Sequence, residues 1–394
     1  MKELAEIISR ARQHPDAGAL ATIVQTEGSS YRRPGARMLI LPNGETVGSI
    51  SGGCLEQDII AHAGSVISNG EPRVLSYDTS TEEDLVFGVG LGCKGVVHVL
   101  VEALSPAGTQ VRSCALLLRF VEELLDERRS GVVATVFAVQ GETGIEIGSR
   151  MMVREDGKVL TAFQDAELAK NILESSKEIL VKRRSRVNQF ETGSGRIEIL
   201  LEIVESPIPL VIFGAGFDAI SLVRLAKEIG FHVSVADARS AYATRERFPQ
   251  ADHVSVVRPG AIREDIDLTD RTAAVIMSHN YALDRAFMNA LLPLPLRYLG
   301  MMGPKKRAEK MFQESRDEGL DFEPKQKQRL HNPIGLDIGA ESPEEIALSV
   351  LAEIQAVTAG YAGGLLCEKK SSIHTARNGA QRFEPPGVVS TVAK

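Results

Sequence analysis

The sequence predicts an α/β protein: a C-terminal Rossmann-type parallel sheet with helices on both faces, joined to an N-terminal α+β domain with a mixed sheet. Three observations carry this prediction. A wholly apolar run, Leu210 to Phe213, leads into Gly214-Ala215-Gly216-Phe217-Asp218-Ala219, then an amphipathic helix stopped at Gly230 and a second strand, Val233 to Ala236, ending at Asp237. Further apolar runs at Val254–Val257, Ala273–Met277 and Tyr298–Met301 each open into a polar or glycine-containing loop, which is where parallel sheets bind ligands. Upstream, apolar runs flank turn signals at Asn43-Gly44 and around Gly141, with amphipathic helices between them.

The glycine segment reads G-x-G-x-x-A, with Asp237 placed 23 positions after Gly214. Gly214 permits the tight strand-to-helix turn, Gly216 lets a pyrophosphate approach the backbone, and Ala219 lets helix and strand pack closely. The free amides of the helix start face an anion, and Asp237 is placed to accept a ribose hydroxyl, with Arg239 nearby. A Rossmann half that merely packs remains the alternative, since fold does not fix function.

At 394 residues the chain is longer than one core usually serves. The expected domains are 1–205 (with subdomains 1–108 and 109–205), a Rossmann domain 206–360 entered through Ser206-Pro207-Ile208-Pro209, and a tail 361–394. The composition, 43% hydrophobic and 25% charged, is that of an ordinary globular protein. A net charge of −7 argues against nonspecific nucleic-acid binding. No apolar run approaches the roughly 20 residues of a membrane helix. The opening MKELAEIISRARQ is an amphipathic helix, not a signal peptide. Cys54, Cys93, Cys114 and Cys367 are widely and irregularly spaced, which suggests reduced thiols and a cytoplasmic protein.

From the N-terminus, Leu4, Ile7, Ile8 and Ala11 share a helical stripe, and Ala19 to Thr26 is strand-like. Met38–Leu41 and Thr46–Ile50 flank Pro42-Asn43-Gly44-Glu45 as a hairpin. The hairpin feeds Ser51-Gly52-Gly53-Cys54-Leu55-Glu56, then a helix marked by Leu55, Ile59, Ala63, Val66 and Ile67. This second strand, glycine turn and helix is a second candidate anion cradle. Cys54 at its helix start has a thiolate favoured by the dipole, or is only a small residue needed there. Strand-like Arg73–Tyr77 precedes Gly88-Val-Gly-Leu-Gly92-Cys93-Lys94-Gly95 and the strand Val96–Glu102. That loop either brings backbone, thiol and cation close to a ligand or is a tight turn between strands.

Residues 105–110 are turn-rich, and a helix with Leu116, Leu117, Phe120, Leu124 and Leu125 on its apolar face follows. Val132–Val139 and Ile145–Ile147 read as antiparallel strands, 166–182 as an amphipathic helix and Arg196–Val204 as a strand; no internal repeat stands out. In the Rossmann half, Lys305-Lys306-Arg307 opens a helix against its dipole and so is a candidate phosphate site. His279 with Asp284 is a candidate acid/base or metal pair, though too few for a metal by themselves. His331-Asn332-Pro333-Ile334-Gly335 begins a polar loop, and Ser342-Pro343-Glu344-Glu345 caps the last helix.

Gly28–Met38, Gly48–Glu56 and Gly90–Gly95 resemble the amino-terminal motifs of the XdhC/CoxI family of xanthine dehydrogenase accessory proteins. Gly214–Ala219, Met277–Asp284, Tyr298–Gly303 and His331–Glu345 resemble its Rossmann domain, so the resemblance spans roughly residues 1–358. The chain departs from the family pattern at Phe217-Asp218 (commonly Gly-His), at His279-Asn280-Tyr281 (commonly His-Asp-His) and at Lys94 (commonly small). A role built on those extra histidines is therefore not carried over.

The resemblance implies a molybdenum cofactor chaperone. Such a protein holds the cofactor while its terminal ligand is exchanged for sulfur with a cysteine desulfurase, then passes it to an apo-enzyme of the xanthine or carbon monoxide dehydrogenase type. It implies an accessory protein rather than an enzyme, with a homodimer expected. Cys54 and Cys93 are assigned to the soft, molybdenum end of the cofactor. Ser51, Gly52, Gly53, Gly92, Lys94, His279, Lys305 and Lys306 are assigned to its remainder. Gly214, Gly216, Ala219, Asp237 and Arg239 are assigned to its nucleotide or to a separate one such as NAD. An NAD-dependent oxidoreductase with His279 as acid, or a nucleotide-sensing regulator, remains an alternative.

Overall fold

The computed structural model describes residues 2–14, 18–28, 30–78, 95–104 and 113–369. Gly92, Cys93 and Lys94 lie outside the described residues, as do 105–110 and 370–394. The chain forms two compact units that part between Ser206 and Pro207, the second running to Glu368.

The first unit is built twice. Its first copy is α1 (Lys2–Gln13), β1 (Ala19–Gly28), β2 (Arg37–Ile40), β3 (Thr46–Gly48), α2 (Glu56–Asn69), β4 (Arg73–Asp78) and β5 (Gly95–Ala103). The second copy repeats that order as α3 (Cys114–Asp126), β6 (Gly131–Gly141), β7 (Arg150–Arg154), β8 (Val159–Thr161), α4 (Ala166–Lys182), β9 (Arg186–Thr192) and β10 (Gly195–Val204). The two sheets have matching strand orders, β3-β2-β1-β5-β4 and β8-β7-β6-β10-β9. Every pairing in both is antiparallel. The expectation of a mixed sheet is corrected here: the helix after β3 or β8 carries the chain to the opposite edge, where the next strand pairs antiparallel with the strand that follows it. The partner of β6 is likewise β7, not Ile145–Ile147, which lies in irregular chain.

The expectation of no internal repeat is also corrected. One interval of 113 residues separates Gly18 from Gly131, Gly35 from Gly148, Arg37 from Arg150 and Leu55 from Leu168. What recurs is a spacing of glycines and buried positions, with few identical residues between. Where the copies meet, each arginine reaches the other copy's glutamate. Arg37 donates to both oxygens of Glu202, at 2.7 and 2.5 Å, and Arg150 donates to Glu102. Gly35 (φ +96°) and Gly148 (φ +86°) make room, since a Cβ would lie 2.8 Å from Glu202 and 2.9 Å from Glu102 respectively. Val24, Leu100, Phe137, Ala138 and Leu200 fill the space between the sheets.

The second unit is the expected parallel sheet, in the order β13-β12-β11-β14-β15-β16. Its elements are β11 (Pro209–Phe213), α5 (Asp218–Glu228), β12 (His232–Asp237), β13 (His253–Val256), α6 (Ile262–Asp265), β14 (Ala273–Ile276), α7 (Tyr281–Leu291), β15 (Tyr298–Met301), α8 (Lys305–Asp317), α9 (Pro324–Gln328), β16 (Leu330–His331) and α10 (Pro343–Ala359). Both sides of β11 are buried, as a central parallel strand requires. Leu210 and Ile212 pack with α5 and α10, while Val211 and Phe213 pack with α7 and α8. The strand order reverses between β11 and β14, so the crevice beyond their carboxyl ends is the expected ligand position.

Candidate functional site

Two loops bound that crevice. The turn after β11 needs Gly214, whose φ is +127° and whose Cβ would lie 2.5 Å from the backbone of Met277 and Ser278. A Cβ on Gly216 would meet the His279 ring at 3.5 Å, so the imidazole lies over the glycine turn. Ala219 is fully buried in the core beneath. Across the crevice, His279 takes φ +56°, a conformation rare for a residue with a side chain, and such strain clusters at functional sites.

The carboxylate partner of His279 is Asp218, with Nε2 3.0 Å from Oδ2, not Asp284. Asp284 is 1% exposed and is used inside the protein. It accepts from the Ser278 amide at 3.0 Å and hydroxyl at 2.5 Å, and pairs with Arg307 at 2.7 Å. Arg307 is therefore withdrawn from the expected basic cluster. Lys305 and Lys306 stay exposed at the first turn of α8, whose cap residue Pro304 offers no side-chain acceptor.

Asp237 is 0% exposed. Its Oδ2 accepts from the Ala215 amide and Arg239 Nη2, both at 2.7 Å, and its Oδ1 from the Arg239 amide and Nε, both at 2.9 Å. Burial pushes its carboxyl pKa up, and these bonds outweigh that, holding it below the usual value. Arg239 stacks on Tyr242, 4.2 Å from the ring centre, and also reaches the Ser278 carbonyl.

In the first unit, Ser51, Gly52, Gly53 and Cys54 form the bend before α2. The amides of Ser51, Gly53 and Cys54 are bonded within the loop and are not open to a ligand. Those of Gly53, Cys54 and Leu55 donate to Ser51 Oγ at 3.1–3.3 Å, and the Ser51 amide donates to Glu56 at 2.7 Å. A carboxylate thus holds the loop from within, and what the loop presents outward is Cys54, which is exposed. Cys114 is the opposite case: burial pushes its thiol pKa up to about 12, the mark of an inert packing thiol. Among the described residues, no group of three or more His, Cys, Asp or Glu side chains could hold a metal ion. The Cys54–Cys93 pair reaches beyond those residues. No helix among the described residues is long and apolar enough to cross a membrane.

Residues 11–78 and 124–191 each match the XdhC and CoxI family, and residues 210–354 match the XdhC Rossmann domain. The chain belongs to the XdhC and CoxI family. The two N-terminal matches begin 113 residues apart, at residues 11 and 124, so the family model matches each copy of the repeat separately. A Bacillus subtilis protein, named as a probable subunit of xanthine dehydrogenase, is 32% identical over 339 residues, covering 86% of this chain and 92% of that protein. A crystal structure of a Bacillus halodurans protein described as a xanthine dehydrogenase superposes with a TM-score of 0.74 at 28% identity, over 91% of this chain and 96% of that one. The Escherichia coli molybdenum cofactor insertion chaperone PaoD is 22% identical, covering 86% of this chain and 82% of its own length.

The roles of three residues that shape these loops do not follow from the sequence. Asp218 lies 61 positions from His279, and no linear pattern joins them. Glu56 reads only as part of the motif. Glu353 binds His331 at 2.9 Å, the Gly335 amide at 2.7 Å and the Tyr298 hydroxyl, so it ties the His331–Gly335 loop to α10. Its position on a helical face gives no hint of that.

Proposed function

We propose that this protein is a molybdenum cofactor chaperone. It holds the cofactor during exchange of a terminal ligand for sulfur supplied by a cysteine desulfurase, and hands it to an apo-molybdoenzyme of the xanthine or carbon monoxide dehydrogenase type. The names of the B. subtilis, B. halodurans and E. coli relatives support the client class and the cargo. The structural observation that carries the reading is the exposed Cys54, on a loop held by hydrogen bonds among Ser51, Glu56 and the loop amides.

A soft thiolate suits a molybdenum centre. Cys93, outside the described residues, is assigned the same end of the cofactor. In the second unit the glycine turn, His279, Lys305 and Lys306 form a separate candidate site for an anionic group. A homodimer is the proposed assembly.

Native mass spectrometry of the full chain, co-expressed with cofactor biosynthesis, tests this reading. A bound, phosphate-bearing metallopterin is the expected result. Protein that stays free of it in such a host, and takes none up on titration with released cofactor, would overturn the reading.

A further inference from the structure

A dinucleotide-binding Rossmann unit reads its ligand twice, with amides at the glycine turn for phosphate and with an acid at the end of the second strand for the ribose diol. Here the first reader is open and the second is closed. Among the described residues, no protein acceptor is bonded to the amides of Gly216 or Phe217. An ionised carboxylate has about four lone-pair sites, and Asp237 already accepts four hydrogen bonds, from Ala215 N and from the amide, Nε and Nη2 of Arg239. With 0% of the residue exposed, a ribose hydroxyl reaches it only by displacing Arg239.

We propose that the crevice takes a phosphate ester without reading a nucleoside: Asp237 is a positioning residue that ties the glycine turn to Arg239. The inference rests on the chaperone reading for the identity of the ester.

The neighbouring charges fit a small anionic group. Asp218, at the first position of α5, would oppose an anion, but its carboxylate is tied to His279. The imidazole lies over the turn, and its Nδ1 has no protein partner among the described residues. Arg239 is neutralised by Asp237, so it offers little long-range attraction for the extra phosphate of NADP.

Amide-resolved NMR titrations of the full chain with inorganic phosphate, NAD and NADP test this. Phosphate should shift the Gly216 and Phe217 amides, and neither dinucleotide should bind more than about threefold tighter than phosphate. Arg239→Ala should uncover Asp237 and raise NAD affinity at least tenfold, with phosphate affinity held within threefold. Adding Asp237→Asn should remove the gain.

Wild-type protein that binds NAD or NADP tenfold tighter than phosphate would overturn the proposal. So would unmoved Gly216 and Phe217 amides, or an Arg239→Ala protein without the NAD gain. The wild-type titrations decide alone if that variant does not fold. Molybdenum retention is measured separately, so failure here is distinguishable from failure of the chaperone reading.

Discussion

The two copies in the first unit solve one structural problem differently. Each must start a helix after its third strand. The second copy does so in the ordinary way, with Asp165 accepting from the Glu167 and Leu168 amides at 2.9 and 3.1 Å as an N-cap. The first copy has no side-chain cap on α2. Its glycine bend is held instead by Ser51 and Glu56, and Cys54 stands where the 113-residue interval puts Glu167. The buried arginine–glutamate pairs are common to both copies, whereas the exposed Cys54, to which the proposed function assigns the soft end of the cofactor, stands in the copy without the side-chain cap.

The largest effect should come from the shared frame. Side chains of Arg37 and Glu202 are 3% and 9% exposed, and those of Arg150 and Glu102 are 1% and 6% exposed. Removing one partner of such a pair leaves an uncompensated buried charge, a loss of about 3–5 kcal/mol. Arg37→Met and Arg150→Met should therefore destabilise by similar amounts in urea unfolding, and Arg37→Met with Glu202→Leu should recover most of the loss. Clearly unequal losses would show that the copies do not share the load.

How much of this is legible from the sequence follows from the same contrast. The Rossmann half is readable because its signal is local: one glycine fingerprint, then apolar runs ending in loops. The duplication is not, because it is written in spacing and burial across 113 residues, and because nothing in the linear sequence joins Arg37 or Arg150 to its distant glutamate. Cys54 falls, as expected, on a glycine bend before a helix. The direction of the amides does not follow from the sequence, since it depends on Glu56 folding back on Ser51. Asp237 is found by its spacing, but its saturation by Arg239 emerges only from coordinates.

A smaller effect concerns the Cys54 loop and is read by pH. Burial raises the Glu56 carboxyl pKa, but bonds from the Ser51 hydroxyl and amide and from the Glu56 and Leu55 amides outweigh it and leave it below the usual 4.5. A folded-state pKa lowered in this way contributes stability that is complete above the unfolded value and lost as pH falls through the folded one. The Cys54 loop should therefore loosen below about pH 4, read as faster reaction of Cys54 with 4,4′-dithiodipyridine. Glu56→Gln should react fast already at neutral pH and lose that acid step.

The central claim, that the first copy alone carries the cofactor-binding thiol, is tested most directly by molybdenum content per chain. Cys54→Ala and Glu167→Ala should be purified from the same cofactor-producing host and measured by elemental mass spectrometry. Both are exposed sites, so stability should shift by no more than about 0.5 kcal/mol. The account predicts at least a fivefold loss of molybdenum in Cys54→Ala and wild-type content in Glu167→Ala. Full content in Cys54→Ala, or an equal loss in both, would contradict it.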